Sequence, residues 1–168
     1  MDVPWEFLEM VARLALAAVA GSALGWEREW HEKPAGLRTH MLVSLGAAAF
    51  MVAALEYTHA DAGNDGALRL DPLRVVSGIV GGVGFLGAGS IIRSRGSVEG
   101  ITTAASIWLA AAIGTISGLG FYALALTAGA MGFVILFFLG VGERKVLKRF
   151  GRTDHEKLDG ERREPPSD

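Results

Sequence analysis

The sequence predicts an all-α fold: a polytopic membrane bundle of five transmembrane helices, with the N-terminus outside and the C-terminus in the cytoplasm. Three observations carry that expectation. From Gly100 to Gly142 there is no charged residue, and at about 1.5 Å per residue such a run crosses the roughly 30 Å hydrocarbon layer twice. Of the 168 residues, 51% are hydrophobic and 20% charged, which suits one small membrane domain with a polar appendage rather than a two-domain enzyme. Lys and Arg fall on alternate connections, so a five-span map gathers them on one side, which the positive-inside rule assigns to the cytoplasm. Open sheets leave unsatisfied edges in lipid and no barrel-like alternation is present, so the spans are read as helices.

The first span runs from about Trp5 to Trp26. It contains Glu9 and Arg13, one turn apart in the order that suits an i,i+4 ion pair. Arg13 lies about 12 Å along the helix from Trp5, where a charge costs about 2.5 to 3.5 kcal/mol. Either the helix shifts so that Arg13 snorkels, or the pair faces the bundle interior and lines a polar cavity. Ala18-Val19-Ala20 resembles a signal-peptide cleavage site, but Asp2, Glu6 and Glu9 precede the apolar run where positive charge is required, so the segment is read as mature structure.

The second span covers about Leu37 to Leu55. The third covers about Leu73 to Ile92, with Asp71 as its N-cap and Pro72 at its first helical position. The fourth covers about Ile101 to Ser117 and the fifth about Phe121 to Val141, joined by a turn at Gly118-Leu119-Gly120. The connection after span one carries Arg28, Lys33 and Arg38, that after span three Arg93 and Arg95, and the tail starts with Arg144 and Lys145. The connection after span two is acidic, with Asp61, Asp65 and Asp71 against Arg69. Residues 1–142 are thus expected to form the membrane domain. Residues 143–168 form a charged cytoplasmic tail with too little apolar content to fold alone.

Several chemistries are excluded or disfavoured. The absence of cysteine rules out disulfides, thiolate metal sites and a Cys nucleophile. Residues 82–87 spell the dinucleotide pattern G-x-G-x-x-G, yet no strand context and no acidic residue about twenty positions on support it. Gly78, Gly81, Gly82, Gly84, Gly87 and Gly89 are instead read as helix-packing positions. No nucleophile and base, Walker lysine or His/Asp metal spacing is present, so no enzyme is expected.

The polar residues that remain form the candidate site. Glu27 and Arg28 alternate in charge near Arg38, Thr39 and His40, at the boundary between spans one and two. Carboxylates there can approach Mg²⁺ through its retained waters, while Arg28 and Arg38 can hold a phosphate; a structural salt-bridge collar is the alternative. Ser90, Thr102, Thr103 and Ser106 flank the Arg93–Gly100 loop on the same side, either capping helices or sharing a pocket with the arginines.

At these residues the chain resembles the MgtC/SapB family of bacterial inner-membrane proteins. The matching text is GSALGWEREWHEKPAGLRTHMLVSL from Gly21 to Leu45, Asp71-Pro72-Leu73-Arg74, GVGFLGAGSIIR from Gly82 to Arg93, and GITTAASIWLAAAIG from Gly100 to Gly114. The resemblance implies a five-span protein of the bacterial cytoplasmic membrane, associated with growth under magnesium limitation and, in pathogens, with survival inside host cells. It implies importance, without assigned roles, for Glu27, Arg28, Arg38, Thr39, Asp71, Arg74, Gly87, Gly89, Thr102 and Thr103. Larger members carry a soluble C-terminal domain resembling an ACT fold, for which residues 143–168 are too short. Glu99 stands where relatives often have a basic residue, which argues against a purely cationic role for that loop.

The expectation is therefore a non-enzymatic protein of magnesium homeostasis that modulates another membrane complex. An oligomeric transporter or channel for Mg²⁺ or another small ion, and a structural scaffold, are the alternatives. No resident cofactor is expected beyond weak Mg²⁺ association. Partners are the lipid bilayer, another inner-membrane complex and further copies of the chain, and nucleic acid is not among them.

Overall fold

A computed structural model describes residues 4–61, 71–94 and 97–138. Helix α1 is Trp5–Trp30, α2 Leu37–Asp61, α3 Pro72–Ser90 and α4 Ile101–Gly118, and α5 is described over Tyr122–Phe138. The first four are each long and apolar enough to cross a membrane, and the described part of α5 is a shorter apolar helix. The architecture is the expected all-α one. The expected end of the fifth span at Val141, the 143–168 tail, Arg95 and most of the acidic connection lie outside the described residues.

The chain divides into two compact units, Met1–Phe133 and Val134–Asp168. In the second, the described residues end α5, where the rings of Phe137 and Phe138 meet edge to face with centroids 5.4 Å apart.

Local chemistry sets the helix boundaries. The Asp71 carboxylate accepts the N–H of Leu73 at 2.9 Å and Pro72 opens α3, as the sequence predicts. Glu29, near the end of α1, reaches across the connection and accepts the N–H of Leu37 at 2.8 Å, so α2 is capped by a residue of its neighbour. A Cβ at Gly36 would come within 2.7 Å of that carboxylate oxygen, so a side chain there would displace the Glu29 cap. Helix α1 continues past its expected end at Trp26 because Glu27 and Arg28 turn inward and find partners, so the polar residues do not stop the helix.

Helices α1, α2 and α4 pack on one another, and α3 lies mainly against α4. The close approach rests on two G-x-x-x-G pairs. Gly21 and Gly25 on α1 receive α2 so tightly that added Cβ atoms would meet Ser44 at 2.7 Å and Leu37 at 2.6 Å. Gly114 and Gly118 on α4 receive the other side of α2. A Cβ at Gly114 would strike the Ser44 carbonyl, and one at Gly118 would sit 2.8 Å from the Ala48 carbonyl. Without a strong hydrophobic drive between helices in lipid, this backbone contact is the attraction that small residues make available. Fully buried Met51 packs against Gly118, while fully buried Leu24 and Ile113 face Gly132 and Gly129 of α5.

The glycines singled out on α3 behave differently. Only Gly87 lies close to another helix, its added Cβ 3.6 Å from Ala104, whereas Gly78, Gly81, Gly82, Gly84 and Gly89 would meet nothing within 4 Å. Close packing inside the chain thus falls on α1 and α4, because α3 is the peripheral helix and turns most of its glycines away from its neighbours. Gly78 and Gly82 line an apolar groove of about 590 Å³ between α2 and α3.

One local element departs from expectation. Ile92–Ser94 and Ser97–Glu99 form strands β1 and β2, an antiparallel hairpin with Arg93 opposite Val98, where the sequence reading placed an irregular loop. The segment is too short for a periodic signal to distinguish the two. Its main effect is positional: it returns the chain from the end of α3 to Gly100, whose φ of 89° starts α4.

Candidate functional site

Where α1, α2 and α4 meet near the α1–α2 connection, five polar side chains lie inside the protein. His40 is 0% exposed, Thr103 1%, Ser106 3%, Glu27 4% and Arg28 6%. Such burial is costly unless each group finds a partner. Most do. An Arg28 Nη2 hydrogen is donated to the Thr103 hydroxyl at 2.7 Å, linking α1 to α4. His31 Nδ1 lies 2.8 Å from Glu27 Oε1 and 3.0 Å from the Glu27 carbonyl, closing the last turn of α1.

His40 joins α2 to α4. Its Nδ1 is 3.0 Å from the Gly36 carbonyl, which can only accept, so Nδ1 carries a hydrogen. Its Nε2 is 3.0 Å from Ser106 Oγ, and that hydroxyl also lies 2.9 Å from the Thr103 carbonyl. Ser106 has one proton for two acceptors. In the neutral ring Nε2 takes it; a protonated ring would donate from Nε2 and turn the hydroxyl toward Thr103. The junction therefore holds together in either state of His40.

Among the described residues, two charged atoms of the junction do not find partners, and at the far end of the bundle Arg13 Nε is likewise buried without one. The two at the junction are Glu27 Oε2 and Arg28 Nε, both buried with no hydrogen bond. The position of Arg28 is costly for a second reason. It belongs to the last turn of α1, where a cation is favoured, but its guanidinium is carried to Thr103 in the first turn of α4, the positive end of that helix dipole. Departures of this kind from local electrostatic rules concentrate at functional sites.

The other candidate residues are dispersed. Glu9 and Arg13 form the expected ion pair, and Arg13 Nη1 also donates to the Gly118 carbonyl at 3.1 Å. Arg13 therefore points at the end of another helix, at the opposite end of the bundle from Arg28. Arg38, Thr39, Arg74, Arg93 and Thr102 are exposed, Asp71 is an exposed cap, and Ser90 bonds within its own helix to the Gly87 carbonyl. Of the predicted residues, only Glu27, Arg28, His40, Thr103 and Ser106 come together. His31 and Ser44 are additions that the sequence reading did not single out. Glu27 and His31 stand four apart, a spacing that signals a shared helix face. Ser44, fully buried, donates to the Ala17 carbonyl at 2.7 Å and has no comparable signal.

Between the two polar ends runs an apolar, glycine-packed belt, with Ala17, Ala48, Ala110 and Ile113 buried around the Ser44 crossing. Among the described residues, no group of three or more His, Cys, Asp or Glu side chains is placed to hold a metal ion. The junction suits a site of mixed charge, with hydroxyls and one guanidinium, better than a metal centre held by several carboxylates.

A family model described as MgtC family matches residues 14–145. The chain is similar to YhiD of Escherichia coli strain K12, which is named as a candidate magnesium transporter, with 44% identity over 128 residues, 76% of this chain and 59% of YhiD. It is 41% identical to protein MgtC of Salmonella typhimurium over 118 residues, 70% of this chain and 47% of that protein. A protein of Synechocystis is 39% identical over 126 residues, 75% of this chain and 50% of its own length. The chain thus spans about half the length of the curated relatives it matches. No solved structure matches it.

Proposed function

Because the chain belongs to the MgtC family of magnesium-related, multi-pass membrane proteins, we propose that it serves magnesium homeostasis without being an enzyme, by modulating another complex of the bacterial inner membrane. The polar junction of α1, α2 and α4 is its working site. The observation that carries this reading is the pair of buried, unpartnered charged atoms, Glu27 Oε2 and Arg28 Nε, beside a histidine that stays bonded in both charge states. A junction of three helices built this way can respond to a ligand or charge by shifting those helices.

In this reading the basic connections and the junction face the cytoplasm, as the positive-inside rule requires. A reporter fused after Gly66 should then be external. The main test is complementation of magnesium-limited growth in a deletion strain. Arg28→Gln and Glu27→Gln are expected to abolish it at normal membrane abundance, and full complementation by both would remove the junction from the function.

The transporter reading draws support from the name given to YhiD. The close-packed belt between the polar ends speaks against a path through one protomer. Saturable Mg²⁺ flux in proteoliposomes of the purified chain would decide for transport.

A further inference from the structure

Helix α4 begins without a cap, and the reason is structural. Gly100 occupies the N-cap position with φ 89°, and a side chain there would strike the Ser90 carbonyl at the end of α3, so no capping side chain is tolerated. The first N–H of α4 with a helical acceptor is that of Ala104, bonded to the Gly100 carbonyl at 2.9 Å. Those of Ile101, Thr102 and Thr103 point out of the helix end without an intrahelical partner. Ile101 and Thr102 are exposed, so this end is open to the surroundings.

A second observation converges there. Arg28 is 94% buried, its Nη2 binds Thr103 in this same first turn, and its Nε has no partner among the described residues. An 18-residue helix directs the positive end of its dipole at the spot where this guanidinium is held. Two positive features placed together repel one another unless something negative lies between them. Glu27 supplies one negative charge beside the guanidinium, held at its Oε1 by His31, and Glu99 is exposed on β2, so a single buried carboxylate stands against two positive features.

We propose that the first turn of α4, with Arg28 and the hydroxyls of Thr102 and Thr103, is a binding site for a phosphate-class anion. Backbone N–H groups at a helix start and a guanidinium are the two donor types that suit tetrahedral oxyanions. The anion is either free phosphate or the phosphate of an anionic lipid headgroup. This inference rests on the reading of the junction as the working site and names its ligand.

The test uses the full chain purified in a maltoside detergent, with thermal unfolding followed by tryptophan fluorescence. Inorganic phosphate is titrated at constant ionic strength against chloride. In parallel, native mass spectrometry scores phosphatidylglycerol retained from membranes. Wild type is expected to show a saturable rise in Tm with phosphate, or, if the headgroup is the source, retained anionic lipid.

Thr102→Asp is the key variant, because it places a carboxylate at the exposed second position of α4. It should raise Tm without ligand and weaken anion binding about tenfold or more. Glu99→Gln, which removes a nearby negative charge, should tighten binding about threefold. A phosphate effect no larger than that of chloride together with no retained anionic lipid overturns the site, as does a Thr102→Asp chain that binds like wild type. Growth complementation separates this result from the functional reading: a Thr102→Asp chain that loses the anion yet fully supports magnesium-limited growth keeps the binding site and sinks its role in function.

Discussion

Helix α1 carries two arginines fifteen residues apart, and both reach α4, at positions that are also fifteen apart, Arg13 to Gly118 and Arg28 to Thr103. The match follows from antiparallel packing, in which equal steps along each helix cover the same distance, about 22 Å here. The two contacts have opposite electrostatic character. Arg13 donates to the last carbonyl of α4 and has Glu9 beside it, so it complements the negative end of the dipole and meets a counter-ion in one motion. Arg28 lies deeper and at the positive end of α4; each arginine has a buried Nε without a partner among the described residues, so the difference lies in the helix end that each one meets. The first contact is what stability alone would select; the second is retained in spite of stability. Similar residues on one helix can thus be sorted into fastener and working part by what each does to the partner helix.

Four measurements sharpen or break this contrast, and the largest effect concerns the belt between the two ends. Gly114→Ala drives a methyl into the Ser44 carbonyl and should destabilise the bundle by about 3 kcal/mol, read as a large fall in Tm or loss of the folded peak in size exclusion. Gly82→Ala is the matched control on α3 and should leave Tm unchanged or slightly higher, since its methyl meets nothing inside the chain.

The arginines themselves come next. Arg13→Gln should cost about 1 to 2 kcal/mol of stability through the lost cap and ion pair. Arg28→Gln, which can still bond Thr103, should change stability by less than about 1 kcal/mol while eliminating complementation. A larger loss of Tm at Arg28 than at Arg13 would reverse the assignment of roles. A smaller effect is expected at Glu29→Ala, which uncaps α2 and should cost about 1 kcal/mol. The smallest signal is spectroscopic. Nitrogen-15 shifts of neutral His40 should report hydrogen on Nδ1 and a bare Nε2, and the reverse tautomer would contradict the Gly36 and Ser106 contacts.

Much of this architecture was legible in the sequence because lipid punishes misplaced charge. The start of the uncharged run at Gly100, the Asp71-Pro72 start and the glycine turn at Gly118–Gly120 each mark a boundary that the structure places within a few residues of expectation. The Glu9–Arg13 pair was legible as a helix-spacing rule. Its destination was not, because the Gly118 carbonyl comes near Arg13 only through a register set by the whole α1–α4 contact. The glycines show a similar limit. Dense spacing drew the reading to α3, while the tight contacts fall at Gly21, Gly25, Gly114 and Gly118. Their G-x-x-x-G spacing was present on both helices, but spacing reports only the ability to pack closely. Which face is used depends on where α2 runs. The junction was half visible for the same reason: Glu27 and Arg28 stand out as charges, whereas Ser106 and His31 acquire meaning only from the side chains that meet them.

The difference in length between α1 and α4 has a consequence for the surrounding bilayer. At about 1.5 Å per residue, 26 residues of α1 rise about 39 Å and 18 residues of α4 only about 27 Å. With their ends level at the Arg28 junction, α1 continues about 12 Å past the last turn of α4 on the far side. A span shorter than the hydrocarbon layer is met by local thinning of lipid and by the descent of headgroups and water. Arg13, level with the Gly118 carbonyl at that short end, is therefore closer to solvent than its depth along α1 alone implies.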